Sequence, residues 1–294
     1  MSSLKLWIEG ARVRTLPLAF APIALGAGTA SSLDRFDLGL TLLALMVSLM
    51  LQVGVNYAND YSDGIRGTDN NRVGPLRLVG SGSKRPEAVK FAAFISFGIG
   101  ALAGLAIVVL TGFWFLVLVG LFAIVAAWFY TGGKNPYGYA GFGELAVFIF
   151  FGLVATVGTN FIQTGLIDPL AVLVGGAYGF YAAAVLMVNN IRDIETDKKS
   201  GKITLAVRMG KNIALKVFVL MIWLPVLLNL LLVVVYPATL LGILNLLLVV
   251  PATLIALDGR SPKDLITALK LTSFAGLGFG LLIGFGIYAV NLGL

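Results

Sequence analysis

Long apolar runs alternate with short polar segments along the whole chain. A membrane-spanning helix needs about 20 consecutive, mostly apolar residues, and nine runs approach that length. The pattern therefore predicts an all-α polytopic membrane protein, a bundle of nine transmembrane helices that forms a single domain over residues 1–294. The nine predicted spans are Leu16–Ala30, Leu38–Ala58, Phe91–Leu110, Phe113–Tyr130, Phe142–Phe161, Pro169–Val188, Val217–Tyr236, Ala238–Ala256 and Leu271–Val290.

The lysine and arginine residues are distributed unevenly among the segments that connect the predicted spans. If the N-terminus is cytoplasmic, every one of the 21 lies on the cytoplasmic side except Arg35. Loops on the cytoplasmic side carry an excess of these residues in membrane proteins. The charge distribution therefore predicts a cytoplasmic N-terminus and an external C-terminus, and we expect the first apolar run to be a retained helix.

The composition supports this class and excludes several kinds of chemistry. The chain is 59% hydrophobic and 12% charged, whereas about a quarter of the residues in a soluble domain are charged. It contains no cysteine and no histidine, which excludes disulfides, thiolate nucleophiles, histidine-ligated metals and a histidine base. The net charge of +7 follows from the membrane topology, so we expect the lipid bilayer and no nucleic acid as a partner.

A polar stretch follows the second predicted span. Its candidate functional residues are Asn56, Asn59, Asp60 and Asp63. On a helix, residues three, four or seven positions apart lie on one face, so these side chains group together if the span continues. We expect Gly64 and Gly67 to break the helix and to begin a flexible, basic loop.

A second polar stretch of the same kind follows the sixth predicted span. Asn189, Asp193 and Asp197 lie at i, i+4 and i+8, again on one helical face. Because the two stretches are four spans apart and face the same side, they predict a weak parallel repeat. Its halves would cover about residues 38–130 and 169–256.

The two acidic stretches predict a magnesium–diphosphate site. Carboxylates at the end of a membrane helix are unfavourable unless they are paired or bind a metal. Oxygen ligands without histidine or cysteine suit Mg²⁺, which takes one or two carboxylates together with phosphate oxygens. Basic side chains beside the acids would bind the diphosphate, and the candidates are Arg72, Arg77, Lys202 and Arg208. Such a site would open to the cytoplasm and suit a diphosphate ester with a lipid-soluble tail.

The arrangement Asn59-Asp60-x-x-Asp63, with Asp193-x-x-x-Asp197 in the second half of a nine-span chain, resembles the UbiA superfamily of intramembrane aromatic prenyltransferases. Further segments resemble the branch of that superfamily that prenylates 1,4-dihydroxy-2-naphthoate in menaquinone biosynthesis. Those segments are Arg14–Pro17, Asn59–Asp69, Arg72–Val79 and Gly201–Arg208.

The resemblance implies a reaction and a location. A polyprenyl group would pass from a polyprenyl diphosphate to 1,4-dihydroxy-2-naphthoate, with loss of diphosphate and CO₂, to give demethylmenaquinone. Two Mg²⁺ ions would bridge the diphosphate, and the enzyme would lie in the plasma membrane with its active site on the cytoplasmic side. The acids that would hold the ions are Asp60, Asp63, Asp193 and Asp197.

The sequence departs from the superfamily pattern at two positions. Gly67 stands where a third acid is expected, so Asp69 would reach the metal only through water. Asn189 replaces the first acid of the second motif and would be a neutral ligand or a hydrogen-bond donor. Asn59 is a further candidate ligand.

Other residues are candidates for the acceptor site or for the lining around an allylic cation. Arg14 either binds the acceptor's carboxylate or anchors the chain on the positive side, and Lys134 and Tyr130 have the same ambiguity. Glu144 is either a paired structural acid, which we favour, or a proton acceptor. The remaining candidates are Asn56, Tyr57, Tyr61 and Tyr137.

Two alternatives stay open. A phytyl donor, or another acceptor such as 4-hydroxybenzoate or homogentisate, would use the same metal site. A cation transporter would also carry acids within its helices, although transporters place them near the bilayer midplane. The position of both acidic stretches at the ends of spans favours the enzyme.

Overall fold

The computed structural model describes residues 2–68, 76–259 and 261–292, and only the backbone of Arg14, Asn291 and Leu292. Within these ranges the chain is helical or irregular and contains no strand. Its α-helices are α1 (Ser3–Gly10), α2 (Pro17–Ser31), α3 (Leu38–Arg66), α4 (Pro86–Thr111), α5 (Leu116–Phe129), α6 (Gly143–Val147), α7 (Ala155–Thr164), α8 (Pro169–Lys199), α9 (Leu205–Met209), α10 (Lys211–Leu232), α11 (Leu246–Asp258) and α12 (Pro262–Tyr288).

Short segments of tighter or wider helix connect several of these elements. A π-helix, Phe148–Val154, joins α6 to α7 and makes one continuous helical rod of them. The 3₁₀ segments are Val13–Thr15, Tyr137–Ala140, Pro237–Asn245 and Ala289–Leu292.

Each predicted span corresponds to a helix in the bundle. Among the residues that the structure describes, seven helical segments are long and apolar enough to cross a membrane, judged by length and composition. The other two predicted spans correspond to α2 and α5, which are apolar but shorter. The chain is thus a multi-pass membrane protein, while the number of nine spans and the orientation of the termini remain predictions.

Helix α2 lies in the middle of the bundle and packs against α3, α7, α8 and α12. The contact between α2 and α12 is close: a Cβ atom on Gly28 would lie 2.4 Å from the carbonyl oxygen of Gly284. Small residues allow this approach between membrane helices. Helices α3 and α8, which carry the two polar stretches, thus both pack against α2.

Helices α3 and α8 are longer than the spans predicted for them. They contain 29 and 31 residues, whereas about 20 residues cross the hydrocarbon core. The last two turns or more of each helix therefore extend past the apolar part, at the same end of the bundle. We refer to this end, where Arg66 and Lys199 end their helices, as the motif end.

The prediction that Gly64 breaks the helix is wrong. Helix α3 continues through Gly64 and ends before Gly67, whose φ of 73° closes the helix in the left-handed region. A Cβ atom on Gly64 would lie 2.4 Å from Cγ1 of Val79. Glycine at this position therefore allows the loop that contains Val79 to pack directly on the helix.

Two short helices have no counterpart in the sequence prediction. Helix α1 precedes the first predicted span, and its residue Trp7 accepts a hydrogen bond at its carbonyl from the Tyr57 hydroxyl of α3 (2.9 Å). Helix α9 begins after Thr204, whose side chain accepts from the Val207 amide. Helices of eight and five residues are too short to leave a clear apolar period in the sequence.

Candidate active site

The polar residues of the first motif are buried at the motif end. Asn56, Asn59, Asp60 and Asp63 expose 3%, 8%, 1% and 5% of their surface. A buried carboxylate is unfavourable unless it is paired or hydrogen-bonded. Both oxygens of Asp60 accept backbone N–H groups, from Leu78 at 2.8 Å and from Val79 at 3.0 Å. Asp60 thereby attaches the loop after α3 to the helix itself.

Asp63 lies one turn further along α3 and contacts two different groups. The hydroxyl of Tyr139 donates to its Oδ1 atom at 2.8 Å. The guanidinium of Arg77 lies 4.0 Å from its Oδ2 atom. Asp63 therefore lies where α3, the Arg77 segment and the Tyr137–Ala140 segment meet.

The other polar residues of α3 attach neighbouring loops to the helix. Asn59 accepts at 2.8 Å from the Thr131 hydroxyl, and the Arg66 guanidinium donates to the carbonyls of Thr131 and Gly133. Asn56 donates at 2.9 Å to the carbonyl of Ala11. These contacts fix the turn after α5 and the turn after α1 against the same helix end.

Among the described residues, the acids of the second motif pair with basic side chains that are close to them in the chain. Arg192 forms a bidentate ion pair with Asp193, with Nε–Oδ1 and Nη2–Oδ2 distances of 2.7 Å, and both side chains are almost fully buried. The same guanidinium donates to Oδ1 of Asn189 at 2.9 Å. The ammonium of Lys202 lies 3.6 Å from Oδ1 of Asp197.

Tyr139 joins the two motifs. Its hydroxyl donates to Asp63, and its ring lies under two cations, with the Arg66 Cζ and the Lys202 Nζ atoms 5.2 Å and 5.5 Å from its centroid. Its carbonyl accepts at 2.9 Å from the Ile203 amide. Burial, and then the nearby charge of Asp63, raise the pKa of the Tyr139 hydroxyl. It therefore stays protonated and acts as a donor at neutral pH.

Glu144 lies close to this region but is enclosed by the bundle. Asn190 donates to its Oε1 atom at 2.9 Å, and both residues are buried. This contact supports the structural interpretation of Glu144 and gives it a partner from the second motif.

A large cavity of about 550 Å³ extends from the motif end between α3, α4, α5 and α7. Most of its walls are aliphatic, and its polar lining includes Asn56, Asn59 and Asn189. Tyr130 and Tyr137 also line it, with their rings 5.5 Å apart and nearly perpendicular. The cavity therefore joins an apolar interior to the end of the bundle where the acids lie.

Several predicted residues contact groups other than the acids or lie outside the described ranges. Tyr57 packs in the apolar cluster around α1 and α4, and Tyr61 stacks on Trp128 at 6.1 Å. Lys134 is exposed, and Arg208 donates at 2.8 Å to the carbonyl of Ala140. The predictions for Asp69, Arg72 and the side chain of Arg14 fall outside what the structure describes.

The sequence analysis missed Tyr139 and Arg192. The Tyr139 contact joins residues 76 positions apart, and no sequence pattern specifies it. Arg192 is next to its partner Asp193, and neighbouring residues on a helix do not face each other in the usual pattern. The sequence offers one indication of this pair. Arg192 lies in a polar stretch at the end of a buried helix, and a buried arginine needs an acidic partner.

No three Asp or Glu side chains lie close enough together to enclose a metal ion by themselves, within the part of the chain that the structure describes. The four predicted acids lie in two pairs, one on α3 and one on α8. Mg²⁺ on a diphosphate takes one or two carboxylates and completes its shell with phosphate oxygens and water. Two separate pairs of buried carboxylates beside basic side chains fit that requirement.

The sequence and the fold both have known relatives. A protein of Mycobacterium tuberculosis described as 1,4-dihydroxy-2-naphthoate octaprenyltransferase is 45% identical over 283 residues, which cover 96% of this chain and 97% of that protein. A protein of Mycobacterium leprae with the same description is 51% identical over 210 residues, 71% of each chain.

A solved structure has the same fold. The UbiA homologue from Archaeoglobus fulgidus bound to GPP and Mg²⁺ superimposes with a TM-score of 0.65 and 18% identity, over 97% of this chain and 99% of that one. Residues 17–274 match the UbiA prenyltransferase family. With its all-helical bundle and two acidic helix ends, this chain belongs to the UbiA prenyltransferase family.

Proposed function

We propose that this protein transfers a polyprenyl group from a polyprenyl diphosphate to 1,4-dihydroxy-2-naphthoate, releasing diphosphate and CO₂ and forming demethylmenaquinol, the reduced form of demethylmenaquinone. The observation that carries the proposal is the pair of acidic helix ends, which Tyr139 links, at the end of the bundle from which the large apolar cavity extends. The choice of acceptor follows the mycobacterial relatives, which are described as 1,4-dihydroxy-2-naphthoate octaprenyltransferases.

We assign Asp63 and Asp197 as the main ligands of Mg²⁺, and we give Asp60 and Asp193 a smaller part in binding it. Asp63 and Asp197 each lie beside a cation that a diphosphate would also bind, Arg77 and Lys202. In Asp60 and Asp193 both carboxylate oxygens already accept strong hydrogen bonds, so fewer of their lone pairs face a metal. When bound, Mg²⁺ would supply charge neutralisation to the diphosphate as a leaving group.

The remaining polar ligands and cations have supporting roles in this proposal. Asn59 and Asn189 are hydrogen-bonded to Thr131 and Arg192 and would orient the metal-binding face of each helix. Arg77 and Lys202 would bind phosphate oxygens as negative charge develops on them. Asp69 and Arg72 are candidates for the same site on the segment after α3.

The large cavity would take the prenyl tail. Its volume of about 550 Å³ and its aliphatic walls suit an isoprenoid chain. Tyr130 and Tyr137, at the polar end of this cavity, would face the allylic carbon. Their π faces would stabilise positive charge there, and the dry walls would keep water from the cation.

The reaction then proceeds without a general base from the chain. The C–O bond of the prenyl diphosphate breaks, and its electron pair leaves with the diphosphate. The electron-rich ring carbon that bears the carboxylate attacks the allylic carbon, and CO₂ leaves while the electron pair of its bond returns to the ring. Because CO₂ leaves in place of a proton, the absence of histidine from the chain is consistent with this chemistry.

The protein would lie in the plasma membrane with the motif end in the cytoplasm. The positive-inside rule supports this orientation, because every Lys and Arg except Arg35 falls on that side of the predicted topology. The diphosphate group of the donor and the aromatic acid would then both reach the site from the cytoplasmic side.

A product assay tests the proposal. Purified protein in detergent is incubated with Mg²⁺, geranylgeranyl diphosphate and a panel of aromatic acids that includes 4-hydroxybenzoate and homogentisate, and products are identified by mass spectrometry. We expect a prenylated, decarboxylated product from 1,4-dihydroxy-2-naphthoate alone, lost with EDTA and restored with Mg²⁺. A product from another acid would refute the acceptor, and no product from any acceptor would refute the transfer.

A further inference from the structure

A second, smaller cavity lies beside the large one at the motif end. It measures about 180 Å³ and lies between the α1 region, the first half of α12 and the end of α8. Four cations line it, together with a single acid, Glu9, among the residues that the structure describes. The cations are Arg12, Arg77, Arg192 and Lys270. A cavity with this excess of positive charge favours an anion.

The cations differ in the partners that they already have. Arg192 is neutralised by Asp193, and Arg77 lies 4.0 Å from Asp63. The Nη2 atom of Arg12 is buried and has no hydrogen-bond partner among the described residues. A buried donor without an acceptor is unfavourable, so the Arg12 guanidinium can donate to a ligand's oxygen from this position.

The backbone at Arg12 is fixed in an unusual conformation. Its φ of 54° lies in the left-handed region, which residues other than glycine seldom adopt. Its carbonyl accepts from the amide and the hydroxyl of Thr15, at 2.8 Å and 3.0 Å. Gln52 donates to the Thr15 hydroxyl at 3.1 Å. Helix α3 therefore fixes the turn from which the Arg12 side chain extends.

The two cavities meet at shared residues. Arg12, Thr15, Asn189 and Leu269 line both of them. The apolar part of the small cavity includes Ile266, beside Leu269, and would contact the face of an aromatic ring. A ligand in the small cavity would thus lie next to the polar mouth of the large one.

We infer that the small cavity is the acceptor subsite, which takes a bicyclic aromatic hydroxy acid, and that Arg12 binds its carboxylate. This inference rests on the function proposed above. Lys270, exposed at the rim of the cavity, attracts the acid to the site. The sequence analysis names Arg14 as a candidate for this role, and the side chain of Arg14 lies outside the described residues.

A binding experiment tests the subsite without turnover. 1-Hydroxy-2-naphthoate and 1-naphthol, which lacks the carboxylate, are titrated into the detergent-purified protein by calorimetry. Wild-type protein is expected to prefer the naphthoate, and Arg12→Gln to lose about 10- to 100-fold of that preference. Arg12→Lys should restore part of it. The matched control is Arg85→Gln, which removes an exposed arginine outside both cavities.

A second pair of variants covers the possibility that Arg12→Gln misfolds. Lys270→Gln and Lys263→Gln change two exposed lysines of α12, of which only Lys270 lines the cavity. Lys270→Gln should weaken naphthoate binding about 2- to 5-fold, and Lys263→Gln should leave it unchanged. Equal preference in the folded Lys270→Gln and Lys263→Gln proteins would overturn the role of the rim.

Kinetic measurements show whether Arg12 binds the carboxylate of the acceptor or a phosphate of the donor. Arg12→Gln should raise KM for the acceptor and leave KM for the prenyl diphosphate unchanged. A rise in KM for the prenyl diphosphate alone, or a naphthoate preference equal to that of Arg85→Gln, would overturn the inference. Absence of turnover in wild-type protein that still binds the naphthoate would instead refute the proposed function.

Discussion

The two acidic helix ends resemble each other in sequence and differ in how the chain holds them. On α3, Asp60 and Asp63 bind groups 18 and 76 positions away in the chain, the Leu78 amide and the Tyr139 hydroxyl. On α8, Asp193 and Asp197 bind Arg192 and Lys202, one and five positions away.

The two motifs have similar residue spacing, but this difference in partners indicates that they have different structural roles. The first motif assembles the site, because its acids attach the loop after α3 and the Tyr137–Ala140 segment to one helix. In the second motif, the partners of the acids among the described residues include Arg192 and Lys202, which are close in the chain, and the Arg192–Asp193 ion pair is buried. We therefore expect changes in the first motif to disturb distant segments, and changes in the second motif to disturb α8 and the segment that follows it.

The largest effect is expected where the two motifs should behave alike. Asp63→Asn and Asp197→Asn each keep the shape of the side chain and remove the charge that we assign to Mg²⁺. The kcat/KM of each variant should fall about 1,000-fold, which corresponds to a loss of about 4 kcal/mol of transition-state stabilisation. The matched control is Asp34→Asn, at an exposed left-handed position that asparagine also tolerates. Near-wild-type activity in either variant would refute the metal assignment.

A smaller effect, on stability, should separate the motifs. Asp193→Asn leaves the Arg192 guanidinium buried without its carboxylate, and the free energy of unfolding should fall by about 3–5 kcal/mol. Asp60→Asn keeps one oxygen acceptor for the amides of residues 78 and 79, so the loss should be about 1–3 kcal/mol. Reversible unfolding in mixed micelles, followed by tryptophan fluorescence, measures both.

Limited proteolysis of the same variants locates the disturbance. Asp60→Asn should expose the segment around Val79 to cleavage, whereas Asp193→Asn should leave that segment protected. A larger loss of stability for Asp60→Asn than for Asp193→Asn would contradict the division between an assembling and a locally held motif.

Tyr139→Phe tests the link between the motifs. It removes the hydroxyl that donates to Asp63 and keeps the ring under Arg66 and Lys202, so activity should fall about 10-fold. Because the pKa of Tyr139 is raised above its ordinary value near 10, the hydroxyl stays protonated, and the loss should be the same from pH 6 to pH 9. Tyr288→Phe, at the far end of α12, is the control. A loss that disappears as the pH rises towards 9 would mean that Tyr139 ionises in that range.

The smallest effect is expected at the opposite end of the bundle. Arg35 is exposed and lies between α2 and α3, away from both motifs. Arg35→Ala should change kcat/KM less than twofold, measured in the same assay. A large loss would show that this end of the bundle takes part in the reaction.

Sequence patterns predicted the helices better than the contacts of the site. Apolar run length located α3 and α8, because the membrane requires about 20 apolar residues, and spacing placed the acids on one face of each. The extension of α3 past Gly64 was missed, because glycine is a weak helix former whose role here depends on the loop at Val79. The contacts of Tyr139 and the position of Arg12 in the small cavity depend on tertiary packing, which periodicity does not encode.

The most direct measurement is the Mg²⁺-dependent affinity for an unreactive donor, farnesyl thiolodiphosphate, in wild type, Asp63→Asn, Asp197→Asn and the double variant. If both motifs hold one diphosphate, binding should require Mg²⁺, each single variant should lose most of the affinity, and the double variant should lose little more. Wild-type affinity in either single variant, or losses that add fully in the double variant, would contradict a single site formed by the two helix ends.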